Sequence, residues 1–361
     1  MKTSMMKHVA YAALAAACIA GIAGCGQKKA KEYAGPKIGE GAIVALACRN
    51  AETTSLAPLA KKYKFGSLTA DNMSKLPDEA KEIIKELGLD KTPAKWMAVT
   101  VGDVSAAVKG ESAPEVAVAL AMALDLDKTI AVCEKKLKEE KKDDEVSFKK
   151  ATVAGVPAYE IHAKDSKMGG KAVVPCVASL DGQLVLAAMS ADALAKQIAL
   201  YRDGKGESKE FGAFSLGAND LIRAKALKIG DTVKKNLPST DALKMINGIV
   251  PDGDKIVLGL GTLEVVAGAS ADGKNATLDV SIETATPEDA DKLRTFAKTG
   301  LMTLTAAMKQ SAEKDDDAKT AYGVLQGVKI VGEGKMAKLA AATPAEPLFK
   351  MASEKAKELA K

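Results

Sequence analysis

One pattern recurs along this chain: two alternating apolar segments meet at a Gly-containing turn, and a stretch of helical periodicity follows. The run from Val177 to Ala188 has Asp181-Gly182 at its centre and precedes a helix expected over 191–202. Asp272-Gly273 lies between strands ahead of a helix over 287–310, and Glu333-Gly334 lies between strands ahead of one over 345–360. Asp-Gly between alternating runs is a hairpin signal, because Gly takes the positive φ that tight turns require. Hairpins pair neighbouring strands antiparallel, and the interleaved helices must pack on the sheet they leave. The expected fold class is α+β.

The elements can be read one at a time. Leu278, Val280 and Ile282 alternate with Asp279, Ser281 and Glu283, the period of a half-buried strand. Ala80, Ile83, Ile84 and Leu87 recur at helical spacing between Pro77 and Gly88, a helix with a start and a stop. Ile130, Cys133 and Leu137 form a second apolar stripe. Leu293, Phe296, Leu301, Leu304 and Met308 form a third after Thr286-Pro287-Glu288-Asp289, a capping sequence. The order of elements repeats at an offset of about 160 residues: Leu76-Pro77 corresponds to Leu237-Pro238, Trp96 to Ile256, and the strand at 116–120 to that at 276–280. Two pseudo-repeated halves are therefore expected, 40–205 and 219–361, each an antiparallel hairpin-rich sheet with helices on one face. The Gly-rich stretch 203–218 links them. The first half has an extra alternating segment from Val153 to Ala163, where the second has the charged stretch 313–319.

The N-terminus has a different character. Lys2 and Lys7 precede an apolar run from Val9 to Ala23, too short to span a bilayer, for which about 20 residues are needed. A basic start, a short apolar stretch and small residues at its end make a secretory signal. The run closes on Ile22-Ala23-Gly24-Cys25. This order of an aliphatic residue, two small residues and a cysteine resembles the lipobox of bacterial lipoproteins. The resemblance implies a signal peptide over 1–24, cleaved before Cys25, and fatty acyl chains such as palmitate on Cys25. Cys18 lies inside the apolar run and does not fit the acceptor position. Two or three acyl chains hold a protein stably on a membrane, where one chain holds it marginally. Residues 25–39 then read as a lipidated tether; its polar part has a mean reach of about 20 Å and reads as a solvated spacer, with Lys28, Lys29 and Lys31 leaning toward anionic headgroups as the alternative. Gly26 stands where the lipoprotein class uses Asp for inner-membrane retention, so an outer-membrane location is implied if the cell has two membranes.

Composition and motifs narrow the chemistry. The net charge of +5 arises from 52 basic and 47 acidic residues that are mostly interleaved, which gives no footprint for nucleic acid. Aromatic residues make up only 4% of the chain, and Trp96 is its only Trp, so a surface that stacks several rings is excluded. One histidine, His162, remains beyond the signal; strand parity sides it with Glu160 and Lys164, an exposed position without a nucleophile. Gly212-Ala213-Phe214-Ser215-Leu216-Gly217 has the wrong spacing for a nucleophile elbow. Gly332-Glu333-Gly334 formally begins a dinucleotide fingerprint, but a hairpin turn accounts for it better. The acidic runs Asp143-Asp144-Glu145 and Asp315-Asp316-Asp317 lack the calcium-loop pattern and read as solvated loops. Cys48, Cys133 and Cys176 show no zinc spacing and read as small core residues, with one bridge as the alternative.

Neither a metal, a cofactor nor a catalytic residue is therefore assigned, and Cys25 is the single candidate site, for lipidation. The function expected is a membrane-anchored envelope lipoprotein, a non-catalytic module that binds an envelope protein or ligand in the periplasm or at the surface. Alternatives are a periplasmic carrier or chaperone for an apolar ligand, to which 13 Met residues would contribute, and a carboxylate-based hydrolase.

Overall fold

The computed structural model of the chain describes residues 33–63, 86–87, 94–105, 114–139, 144–164, 167–168, 171–212, 214–236 and 252–358. The expected signal peptide, Cys25, most of the helix expected between Pro77 and Gly88, and the Leu237-Pro238 segment lie outside the described residues. The chain forms two compact units, Met1–Asn50 with Ser67–Ser215, and Ala51–Gly66 with Leu216–Lys361. An uninterrupted first half over 40–205 is thereby corrected. After β1 (Val44–Arg49) the chain leaves the first unit, and a short 3-10 turn (Ala51–Thr53) and α1 (Ala57–Lys62) belong to the second.

In the first unit, β2 (Trp96–Val101) and β3 (Val116–Ala121) lead into α2 (Leu126–Glu139). The hairpin of β4 (Val146–Val153) and β5 (Val156–Ala163) follows, then a short pair, β6 (Lys167–Met168) and β7 (Lys171–Ala172). A last hairpin, β8 (Cys176–Leu180) and β9 (Leu184–Ala188), runs into α3 (Ala191–Asp203). Seven strands form one antiparallel sheet in the order β1-β2-β3-β9-β8-β5-β4. Asp181 and Gly182 both have positive φ, 52° and 65°, which confirms the turn read from Asp-Gly. Ser190 caps α3 by accepting from the Ala193 amide, and Gly204 ends it in the left-handed conformation.

The two faces of this sheet are built differently. Across one face runs the row Ala47–Ala98–Ala119–Leu186–Ala178–Ala158, each paired with its neighbour and all buried. Small side chains let α3 settle close, and its Tyr201 stacks on Trp96 with ring centroids 6.2 Å apart. On the opposite face Leu120, Tyr159, Val177 and Val185 pack with Leu126, Ile130 and Val132 of α2, and Met97 joins them. Trp96 and Met97 are neighbours in one strand, so they point to opposite faces. Helices therefore cover both faces of this sheet, where one face was expected. Periodicity marks which stripe of a helix is apolar, not the side of the sheet to which its connection carries it.

In the second unit β10 (Asp220–Ala226), α4 (Ile229–Asn236) and α5 (Gly253–Leu258) precede the hairpin of β11 (Leu263–Ala269) and β12 (Asn275–Glu283). Helices α6 (Pro287–Ala312) and α7 (Asp316–Gln326), the hairpin of β13 (Val328–Val331) and β14 (Met336–Pro344), and α8 (Ala345–Glu358) complete it. The sheet order is β10-β11-β12-β14-β13, again antiparallel. Thr286 caps α6 by accepting from the Asp289 amide, as its sequence predicts. Two expectations change here. Ile256 lies in α5 rather than in a strand matching Trp96, because an apolar run this short carries no distinguishing period. The stretch 313–319 begins helix α7, with Asp315 as its cap, accepting from the Asp317 amide at 2.8 Å, rather than a solvated loop.

The segment from the first half is wedged into the second unit by specific contacts. The Ser55 amide donates to Asn219 Oδ1 at 3.2 Å, and its hydroxyl donates to the Ser270 carbonyl at 2.8 Å. Lys62 pairs with Glu346, and Tyr63 donates to the same carboxylate at 3.2 Å. Gly273 has φ +69°, and a Cβ placed on it would sit 2.2 Å from the Ser55 carbonyl oxygen. Gly155, between β4 and β5, has φ +77° but open space around it. Gly155→Ala should therefore cost only the left-handed penalty, about 1–2 kcal/mol. Gly273→Ala should cost more and raise hydrogen exchange around Ser55, since a backbone carbonyl cannot rotate away. Equal losses in denaturant melts, with Ser55 unchanged, would refute this account of the wedge.

Candidate functional site

Strand β5 places Glu160 and His162 on one face, as parity predicts, and His162 Nε2 lies 3.0 Å from Glu160 Oε2. Sequence reasoning missed the third member: Glu160 pairs directly with Cys176 across β5 and β8. A thiol, a carboxylate and an imidazole thus meet on one strand pair. The chemistry does not follow the inventory. Cys176 is fully buried and its thiol donates to the Val174 carbonyl at 3.5 Å. Burial pushes the thiol up, and the Glu160 carboxylate pushes it further. A nucleophilic cysteine needs the opposite, a stabilised thiolate. Lys164, on the same side, pairs with Asp144 at 3.0 Å. Among the described residues, no group of three or more His, Cys, Asp and Glu side chains is placed to hold a metal ion.

A second polar cluster joins α2 to the β4–β5 hairpin. The buried Tyr159 donates its hydroxyl to Asp127 in the first turn of α2, and Lys150 Nζ lies 3.1 Å from the same carboxylate. The Tyr159 hydroxyl and the Lys150 ammonium hold Asp127 below the usual carboxylate range, while burial and Asp127 push the Tyr159 phenol up. All three groups are stabilised in their ordinary states at neutral pH, so the cluster fastens a helix and offers no base. Gly332 and Gly334 both have positive φ and shape the turn into strand β14, so no helix N-terminus is available for a phosphate.

The most elaborate constellation is at the N-terminus. Residues 33–41, expected to belong largely to a flexible tether, lie against the first unit. Tyr33 donates its hydroxyl to Asp181 Oδ2 at 3.0 Å, and its carbonyl accepts from Trp96 Nε1 at 2.9 Å. Its ring meets Tyr201 edge-on at 6.2 Å. The Lys37 amide donates to the Tyr201 hydroxyl at 3.0 Å, Lys37 Nζ donates to the Leu200 carbonyl at 3.3 Å, and Ile38 is buried. The Glu40 amide donates to the Gly206 carbonyl at 2.7 Å, and Gly39 bridges to Glu207. The tether reading is corrected from Tyr33 onward: composition marks a polar, Pro-containing segment, but the partners that capture it lie some 60 to 170 positions away in sequence.

Apolar side chains also remain at the surface of each unit. On the first sheet, Val44–Val101–Val116 and Leu46–Val99–Val118 form two paired rows, with Val44 37% and Leu46 39% exposed. In the second unit, α6 exposes Phe296 (43%), Met302 (66%) and Leu304 (57%). Phe296 and Leu304 are eight positions apart and share one side of the helix, with Gly300 between them. No family model, curated protein or solved structure matches the chain in comparisons with known proteins.

Two outcomes test this description. Cys48, Cys133 and Cys176 form no disulfide with one another, and burial pushes the Cys48 thiol up as it does Cys176. Thiol titration of the protein denatured without reductant should count three from Cys48, Cys133 and Cys176, once any thiol of Cys18 and Cys25 is accounted for by mass spectrometry, and a count of one would mean a bridge. The second concerns Tyr33, whose phenol is pushed up to about 12 by burial and by Asp181. Unfolded, it ionises near 10. Between these values the unfolded chain binds fewer protons, so stability falls as pH rises from about 10 to about 12. Tyr33→Phe should flatten part of this fall in denaturant melts, leaving the contribution of Tyr201, which burial raises further. An unchanged slope would remove Tyr33 from the docking.

Proposed function

We propose that the protein is a lipid-anchored lipoprotein of the cell envelope whose body is a non-catalytic binding module. The observation that carries this reading is the order Ile22-Ala23-Gly24-Cys25 at the end of a short apolar run behind Lys2 and Lys7. On this reading the folded body begins eight residues beyond Cys25, at the docked Tyr33. Among the described residues no helix is long and apolar enough to cross a membrane. The location proposed is the outer membrane, facing the periplasm or the surface, in a cell with two membranes. The surfaces offered for binding an envelope protein or ligand are the paired valine rows of the first sheet and the apolar side of α6.

The two units are proposed to be copies of one module. Leaving aside the β4–β5 hairpin, the short β6–β7 pair and the helices that differ, each unit runs strand, strand, strand, helix, strand, strand, helix. In each, the sheet order is first, second, third, fifth, fourth. The first copy inserts the β4–β5 hairpin where the second has α7.

Cys25→Ala should shift the protein from the membrane fraction to the soluble fraction or leave it uncleaved. Mass spectrometry of the wild-type N-terminal peptide should show an acylated Cys25 as the first residue. An unmodified Cys25 in the membrane-purified protein would sink the anchor.

A further inference from the structure

We infer that the end of the first sheet that carries Trp96 and the β8–β9 turn faces the lipid surface. This inference rests on the anchor at Cys25 proposed above. Its independent support is where the chain becomes fixed to the fold.

Tyr33 is held by three separate partners. Its hydroxyl reaches Asp181 in the β8–β9 turn, its carbonyl reaches the indole of Trp96 at the start of β2, and its ring meets Tyr201 near the end of α3. These partners lie at one end of the sheet. The paired row Arg49–Trp96–Ala121–Leu184–Leu180 crosses the strands there, and the Leu124 amide donates to the Gly182 carbonyl beyond it. The opposite end holds Val44, Val101, Val116 and Ala188, and α3 begins there at Ala191.

Chain length converts this fixing point into an orientation. Seven residues lie between Cys25 and Tyr33, eight Cα–Cα steps in all. They span at most about 26–29 Å when fully extended and have a mean reach of about 15 Å when relaxed. Strand β2 alone places Val101 about 17 Å from Trp96. At its mean reach the tether therefore brings the Trp96 end to the headgroups and leaves the other end a further strand length away. If the whole of 25–39 were free, the unit could turn over easily; with residues 33–41 captured, turning over requires the remaining chain to stretch well beyond its mean reach. Exposed Lys95 beside Trp96 gives this side a cation suited to a headgroup surface.

The single Trp of the chain sits at the decisive place, so the wild-type protein is its own probe. The lipidated full chain is reconstituted in phosphatidylcholine vesicles containing a small share of dansyl-phosphatidylethanolamine, and energy transfer from Trp96 to the lipid probe is measured. Transfer should be strong in the wild type. Inserting about twenty Gly and Ser residues between Lys31 and Glu32, which roughly doubles the mean reach, should keep the protein on the vesicles and at least halve the transfer. Ala191→Trp, with Trp96 and its bond to the Tyr33 carbonyl kept, adds a donor at the far end of the sheet and should lower the average transfer per Trp toward half, with circular dichroism checking the fold. The inference is overturned if the protein stays on the vesicles but Trp96 transfers no more than the far-end donor, or if the inserted spacer changes nothing. A chain that does not remain on the vesicles overturns the anchor and the orientation together.

Discussion

The first unit depends on how closely its backbone layers approach. Ala45, Ala47, Ala98, Ala117, Ala119, Ala121, Ala158, Ala178 and Ala188 share one face of its sheet, and all are buried. A side chain of one carbon lets α3 and the N-terminal segment settle within reach of the strands. Only then can Tyr201 stack on Trp96 while its hydroxyl still accepts from the Lys37 amide. Enlarging one of these alanines would force off-rotamer neighbours, at a typical cost of about 1–3 kcal/mol. The opposite face is built from Leu120, Tyr159, Val177 and Val185, where volume rather than closeness does the filling. Alanine abundance in the sequence is thus a packing constraint, and the docked N-terminus is one of its consequences.

What the sequence made legible was local. Turns at Asp181-Gly182, Asp272-Gly273 and Glu333-Gly334, the Thr286 cap and the parity of His162 with Glu160 all depend on residues a few positions apart. Helix α7 was also within reach: Asp315 caps it, and Ala318, Tyr322 and Leu325 recur at helical spacing after it. Its charged opening hid it behind a loop reading. The features that could not be read join distant residues. Ser55 meets Asn219 and Ser270, Glu160 meets Cys176, and Tyr33 meets Asp181, and no period or spacing encodes these meetings. The placement of α2 and α3 on opposite faces belongs to the same class, since it is set by how a connection crosses the sheet edge.

The candidate site divides in the same way. The segment Ile22-Ala23-Gly24-Cys25 that resembles a lipobox is contiguous, so the resemblance was legible in the sequence. Glu160, His162 and Cys176 are a case where residue types alone mislead. Together they name a nucleophile with its base, but burial and the neighbouring carboxylate both hold the thiol protonated. Chemistry is decided there by the sign of the perturbation. The Tyr159, Asp127 and Lys150 group carries the same lesson, since each charge is stabilised where it already sits.

The two units differ in how firmly they are held, although their strands follow one order. In the first, the row Ala47–Ala98–Ala119–Leu186–Ala178–Ala158 is buried throughout. The corresponding kind of row in the second, Ala224–Val265–Val280–Leu339–Ile330, is half-buried at every position. Full burial of a Val, Leu or Ile contributes about 1.5–3 kcal/mol, so partial burial across a whole row forgoes several kcal/mol of hydrophobic stabilisation. The second unit relies more on its caps, on the Arg223–Glu264 ion pair at 2.6 Å, and on the Ser55 wedge. Binding surfaces are commonly drawn from the less stable part of a protein, because apolar groups left in water there gain most from a partner. The exposed Phe296, Met302 and Leu304 of α6 lie in that part. On the lipoprotein function proposed above, the first unit, with its buried core and docked N-terminal segment, would set position, and the second would present the surface that a partner completes.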